Sequence, residues 1–282
     1  YHLQGGQEQF DGIIGINAAV LPDLLGFIGP IHLKEFGLNF TKENALFQLE
    51  YEIEKGYVSR NIEPGERKLI FKKLAKEILE KLTKKNPWQW KDLRDFALKE
   101  LEEKNILLYF KDQAIQKEIL KLNWAGKINE EINNDYLMII EANLGAKKSN
   151  AFIKREIEYY LDLTNQGPKV ELKINYWHQG REKDWFNDDY RAYLRIYTPF
   201  GSQLTKAEET DSQIDQTKEL NKTVFGHWIE VKTGQTKTIK YEYILPERIK
   251  AGPDYKILVQ KQAGLNELPF KFILKDSQGQ KF

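Results

Sequence analysis

The densest group of reactive side chains in this 282-residue chain is Arg60-Asn-Ile-Glu-Pro-Gly-Glu-Arg67, two arginines and two glutamates in a glycine-containing loop at the mouth of a helix. Arginines clamp phosphate oxygens bidentately and a helix N-terminus adds positive potential, while Glu63 and Glu66 are the kind of carboxylates that hold a divalent ion across a diphosphate. The structural alternative is that these glutamates cap the helix and pair with neighbouring Arg and Lys side chains in water. A second polar loop, Asn143 to Asn150, follows an apolar strand, the place where α/β folds present ligand loops. Its Asn143, Lys147, Lys148 and Asn150 suit an acidic or sugar group, or else form a plain turn with wet lysines. Trp177 and Trp185, with Trp228, Tyr190, Tyr193 and Tyr197, offer rings for sugar stacking, although aromatic residues at alternating strand positions also build β cores.

Other chemistries are excluded by composition. The chain has no cysteine, which removes disulfides, thiolate nucleophiles, cysteine zinc sites and cysteine-ligated iron–sulfur clusters. His2, His32, His178 and His227 share no ligand spacing. Gly-x-Ser-x-Gly, Gly-x-Gly-x-x-Gly and Walker motifs are absent. With 43 Lys plus Arg against 42 Asp plus Glu, the net charge of +1 supplies no field for nucleic acid, and the strands carry charges of both signs.

These residues must be positioned by two kinds of element. From residue 11 to about 123 the pattern is short strand, turn and amphipathic helix: a strand at Asp11 to Ile16 expected to be buried on both faces, helical turns over Val20 to Phe27, and Thr41 at a helix N-cap. A long helix follows with Leu69, Ile70, Leu74, Ile78, Leu79 and Leu82 on one stripe, then a break at Asn86-Pro-Trp, a second helix to Asn105, a strand at 106–109 and a third helix at 113–122. The apolar stretch Ile13 to Ile31 carries Asp23, Asn17, Pro22 and Pro30 and reads as strand, turn and helix, not as a membrane span. Beyond a strand at 136–143 the period falls from 3.6 to 2. Seven alternating runs follow, at 153–163, 170–177, 190–197, 228–232, 236–245, 255–261 and 270–274. The expected class is α+β: an α/β layer with amphipathic helices in residues 1–165, incomplete at its N-terminus, then an antiparallel, Ig-like β-sandwich in residues 166–282, with the boundary at Asn165-Gln-Gly-Pro and a hairpin or exposed loop at Lys206 to Lys222.

Phe10-Asp-Gly-Ile-Ile-Gly-Ile-Asn-Ala-Ala-Val-Leu-Pro-Asp-Leu-Leu, Gly29-Pro-Ile, Phe40-Thr-Lys-Glu-Asn-Ala, Trp124-Ala-Gly, Tyr193-Leu-Arg-Ile-Tyr-Thr-Pro-Phe-Gly-Ser and Tyr243-Ile-Leu-Pro together resemble a bacterial family known as domain of unknown function 4012. The resemblance implies an extracytoplasmic envelope protein on the bacterial cell surface, anchored by an upstream transmembrane segment that is not in this chain. It further implies a scaffold or interaction role, with protein or cell-wall glycan partners and contacts to its own upstream segment. The start at Tyr1 and the single Met138 agree with a piece of a longer protein, whose β edge near residues 11–16 would pair with that upstream part or dimerise. More distantly, the first eighty residues are similar to the LytR-CpsA-Psr family, which transfers glycopolymers from polyprenyl-pyrophosphate carriers. On that pattern Arg60 and Arg67 would hold the pyrophosphate and Glu63 or Glu66 would share a Mg2+ ion, although the family has Asp at the acidic position. The alternatives to a scaffold are therefore a glycopolymer phosphotransferase and a carbohydrate-binding surface protein.

Overall fold

Glycines and prolines break the first sixty residues into short elements: β1 (Gly12–Ile16), α1 (Val20–Ile28), β2 (Ile31–Leu33) and β3 (Leu38–Phe40). β2 and β3 form a hairpin whose turn depends on Gly37 at φ 63°, where a side chain would be strained. The structure is a computed structural model that describes residues 9–84, 87–131, 133–145, 147–163, 167–250, 255–265, 267–275, 280 and 282, with only the backbone of 87–89. His2 and the Asn165-Gln166 half of the boundary lie outside the described residues.

α2 (Ala45–Tyr51) runs into a π-helical turn at Glu52–Gly56 and ends as α3 (Tyr57–Ser59). The residue before α2 is Asn44, three positions later than the expected cap, and its Oδ1 accepts from the Thr41 N–H at 2.8 Å to close the preceding turn. α4 (Leu69–Thr83) buries Ile70 and Leu74 and packs Ile78 and Leu82, whereas Leu69 and Leu79 face water, so its apolar stripe is narrower than expected. Pro87 opens α5 (Pro87–Glu102) and does not interrupt it, as suits a residue with no N–H in a first turn. β4 (Ile106–Phe110) pairs antiparallel with β1, and α6 (Gln113–Lys121) is capped by Asp112 Oδ1, which accepts from Ile115 N at 2.9 Å. Leu25, Ile28, Ile31, Phe40, Leu49, Ile70 and Leu74 form the core of this unit. β1 is not buried on both faces, because β4 is its single neighbour among the described residues and Ile13, Ile14 and Ile16 lie exposed.

Internal contacts divide the chain into Tyr1–Lys127 and Ile128–Phe282, ahead of residue 165. The reason is that β5 (Asp135–Asn143) and β6 (Ile153–Asp162) are inner strands of the second unit's sheets. They are joined there by β7 (Lys169–His178), β8 (Tyr190–Pro199), β9 (Gln203–Glu208), β10 (Asp215–Glu219), β11 (Lys222–Val231), β12 (Thr236–Ile244), β13 (Ile257–Gln260) and β14 (Phe270–Lys275). The sheet orders are β10-β11-β8-β5-β13 and β14-β6-β7-β12-β9. Both sheets are mixed and not purely antiparallel, since β13 runs parallel to β5 and β14 parallel to β6. The Lys206 to Lys222 segment contains the expected hairpin, with β10 turning back antiparallel onto β11, and it supplies half of β9 and all of β10, the outer strands of opposite sheets. Most of their side chains are wet, which erases the apolar alternation that marks inner strands.

Residues of one parity on each strand, among them Leu137, Ile157, Leu172, Ile174, Leu194, Ile196, Phe225 and Ile239, share a single buried cluster. The opposite parity of the first sheet builds a small second cluster from Tyr136, Met138, Tyr197 and Val224. Lys222 lies against it, 1% exposed, with its ammonium 4.7 Å from the Tyr136 ring centre and no hydrogen-bond partner for Nζ among the described residues. Burial lowers its pKa. The cation–π contact offsets part of the desolvation cost, about 0.5–2 kcal/mol. Replacing an unpaired buried charge by an apolar isostere is neutral or stabilising in general. Lys222→Met is accordingly expected to leave stability unchanged or raise it by about 1 kcal/mol in urea denaturation; a loss of that size would show that the cation–π contact outweighs desolvation.

Candidate functional site

In the arginine loop both guanidinium groups are already engaged. Arg60 donates from Nε to Glu52 Oε2 at 2.8 Å, from a terminal nitrogen to Glu52 Oε1 at 3.3 Å, and from the other to the Phe36 carbonyl at 2.8 Å. Its plane also lies 5.5 Å from the centre of the Phe36 ring. Glu52 is buried, and its remaining partner is Gln48 Nε2, which donates at 3.0 Å. The hydrogen bonds to Glu52 raise the Arg60 pKa further above its ordinary value. The local sequence makes this geometry: in the π-helical turn the Glu52 carboxylate folds over Gly56, where a Cβ would collide with it. Arg67, half-buried, reaches Glu54 at 3.4 Å. Glu63 and Glu66 are exposed in a short 3₁₀ turn opened by Pro64. No group of three His, Asp or Glu side chains gathers as metal ligands among the described residues.

The second sequence-predicted loop is held by its own hydrogen bonds. Asn143 Nδ2 donates to the Lys147 carbonyl at 3.0 Å and to Asn150 Oδ1 at 3.2 Å, and Asn143 Oδ1 accepts from Gly145 N at 3.1 Å. Lys148 N donates to the Phe186 carbonyl at 3.1 Å and Ser149 Oγ accepts from Asp188 N at 3.3 Å, which ties the loop to the segment after β7. That segment is organised by Asp184, which accepts from Phe186 N and Asn187 N, and by buried Asp189. Asp189 receives Lys183 at 2.6 Å, Lys232 at 3.1 Å and Thr233 N at 3.0 Å; these donors overcome its burial and hold its pKa well below the carboxylate range. Trp185 packs on Phe186 with ring centres 5.2 Å apart. Trp177 is 38% exposed on β7 between Lys154 and Thr236, and Trp228 on the other sheet packs edge-on against Tyr193.

Sequence reasoning missed the polar groups inside the second unit. At one end of β5, Asp135 is wholly buried: its Oδ2 accepts from Tyr159 Oη at 2.5 Å and from Tyr255 Oη, and its Oδ1 from Tyr136 N at 2.7 Å. Burial pushes its pKa up to about 6 against the pull of these donors. At the other end, Glu141 accepts from Arg155 at 2.8 Å, Tyr176 Oη at 2.9 Å and Tyr190 Oη at 2.6 Å. His227, also wholly buried, donates from Nδ1 to the Trp228 carbonyl at 2.8 Å and accepts from Tyr241 Oη, and burial lowers its pKa. Parity was the available signal: Asp135, Glu141 and Arg155 stand in phase with Leu137, Ile139 and Ile157 and therefore face the interior.

A cleft of about 670 Å³ in the second unit is lined by Leu163, Pro168, Gln203, Ile244, Pro246 and Ile249, and a charged one of about 230 Å³ by Glu171, Lys206, Glu208, Lys240 and Glu242. Neither is lined by a residue expected from sequence. No protein-family model matches the chain, and no curated protein matches it. Among solved structures, a protein from Legionella pneumophila named for nutrient binding shares 7% identity at a TM-score of 0.27, over 39% of this chain and 43% of its own. An M1 zinc metallopeptidase from Deinococcus radiodurans shares 7% at 0.20 over 33% and 20%, and aminopeptidase A of Legionella pneumophila 11% at 0.24 over 48% and 17%. The chain thus spans less than half of each, and likenesses of this size carry no argument on fold or activity.

Removing the Arg60 side chain strands the buried Glu52 carboxylate, whereas Arg67 joins a surface pair. Chemical denaturation is expected to show Arg60→Ala costing roughly 2–4 kcal/mol and Arg67→Ala less than about 1 kcal/mol; equal effects would contradict the assignment. For Asp135, a folded pKa above the unfolded value means that its contribution is fully present below about pH 4 and is lost as pH rises through about 6. His227, depressed in the fold, acts in the opposite sense: its contribution is present above its unfolded value and is lost as pH falls. Asp135→Asn is therefore expected to flatten the stability loss between pH 4 and 6, read from melting temperatures in a pH series; an unchanged slope would contradict it.

Proposed function

We propose that this chain is an interaction or spacer module of an extracytoplasmic bacterial envelope protein, resembling the domain of unknown function 4012 family, with protein or cell-wall glycan partners. The second unit serves as an Ig-like module whose two sheets layer over one core. The observation that carries this reading is the Arg60 guanidinium, committed on both edges to buried Glu52 and the Phe36 carbonyl. A glycopolymer phosphotransferase would need that group free to face a diphosphate, and opening it would leave Glu52 buried without its cation. Surface attachment follows from the resemblance, through a membrane anchor upstream of this chain; no helix among the described residues is long and apolar enough to cross a membrane.

A carbohydrate-binding surface is the second reading, favoured by the ring that Trp177 exposes on the outer side of its sheet. Flat exposed aromatic faces stack on apolar faces of sugars, and tryptophan fluorescence would report such contact.

A ligand that binds only the folded state raises the melting temperature by mass action. A thermal-shift titration with Mg2+ and a short-chain polyprenyl pyrophosphate is expected to give no shift beyond a lipid-only control. A Mg2+-dependent rise that Arg67→Ala abolishes would overturn the module reading and restore the phosphotransferase.

A further inference from the structure

The ribbon of β1 and β4 has one closed side and one open side, and hydrogen-bond parity identifies each. Lys111 N donates to the Asp11 carbonyl and Asn17 N to the Asn105 carbonyl, both at 2.8 Å. An antiparallel pair alternates bonded and non-bonded positions, so Ile13 and Gly15 also bond to β4. Gly12, Ile14 and Ile16 then turn their N–H and C=O groups away from it. On the far side of β4 the corresponding groups are covered: Leu108 N donates to the Trp124 carbonyl at 2.9 Å and Phe110 N to Gln116 Oε1 at 2.8 Å. Among the described residues nothing covers the outer side of β1, and Ile13, Ile14 and Ile16 are 53%, 60% and 63% exposed.

Exposed edges are normally blunted by lysine, proline or a bulge. β1 has none of these, being Gly-Ile-Ile-Gly-Ile between Asp11 and Asn17. Its sequence is complementary to itself. When two copies run antiparallel about a two-fold axis at Ile14, Ile14 meets Ile14, Ile16 meets Gly12, Ile13 meets Gly15, and Asp11 meets the uncharged Asn17. Each off-axis isoleucine thus lies over a glycine, and no like charges oppose. Sliding the pair by two residues sets Gly15 against Gly15 and shortens the ladder.

We propose that β1 is a self-pairing edge through which two copies of this chain join as a four-stranded sheet, β4-β1-β1-β4. The proposal is independent of the envelope reading. One strand pair buries less than the ~800 Å² per partner of a standard interface, so the association is weak and concentration-dependent.

Sedimentation equilibrium of the full chain across a concentration series is expected to move the mass from 33.2 kDa toward twice that value. Ile14→Lys is expected to abolish the shift, and an equimolar mixture with Ile14→Glu to restore it, because the two charges then face each other across the axis. With no native cysteine, a single introduced thiol reports the register. Ile14→Cys lies about 5.5 Å from its copy and within disulfide reach. Ile16→Cys, roughly 13 Å away by strand rise, is not. Rapid cross-linking of the first variant alone supports the proposal. A mass of 33.2 kDa at every concentration, or equal cross-linking of both variants, overturns it; an edge covered by the chain's own preceding residues would give the first of these results.

Discussion

A carboxylate removed from water needs a cation or several hydrogen-bond donors, and the pairing of Glu52 with Arg60 is the constraint around which the first unit's candidate site is arranged. The pair explains three neighbouring oddities at once. The helix from Ala45 to Ser59 carries a π turn at 52–56, Gly56 leaves room for the carboxylate, and the loop after Ser59 returns Arg60 to the Phe36 carbonyl. π turns are inserted where a helix must re-aim a side chain, and here the re-aimed group is Glu52. The loop that looks most like phosphate chemistry is therefore tied to the β2–β3 hairpin. Its charges hold structure together before they can serve a ligand.

The second unit solves a related problem with neutral donors. Its interior is apolar in the middle and polar toward the two ends of β5, where tyrosine hydroxyls surround Asp135 and, with Arg155, Glu141. Tyrosine suits this position because it brings a large apolar ring into the core and a hydroxyl to a carboxylate. The polar loop of Asn143 and Asn150 continues from the Glu141 end and is satisfied internally. Buried polar bonds favour one packing, and here they tie β5 to β6 and β7 of the facing sheet and to its neighbour β8, with Arg155 Nε left unpaired among the described residues.

Period-two alternation made six of the seven expected strands legible within a few residues, and 3.6-residue spacing did the same for α4, α5 and α6. What stayed hidden has physical causes. β9 and β10 are outer strands whose wet side chains do not alternate. Parallel pairing of β13 and β14 is a long-range property with no local signature. The pairing of β5 with β8 and β13 has no local signature because an apolar strand is equally at home in an α/β layer and in a two-sheet core, and the exposure of β1 is hidden because isoleucine runs are usually buried. The site residues were legible as types but not as partners: Arg60 and Arg67 stand out, while of the glutamates that hold them Glu52 sits on the buried face in phase with Ala45 and Leu49 and Glu54 is half-buried beside it, positions that no local motif marks.

A double-mutant cycle on Glu52→Gln and Arg60→Ala, read as unfolding free energy, tests the structural role of the arginine most directly. The account predicts strong coupling, with the double variant more stable than Arg60→Ala alone, since the neutral amide no longer strands a buried charge. Additive losses, with the double variant less stable than either single one, would show that Arg60 is not the cation on which Glu52 depends and would return it to the phosphate-binding candidates.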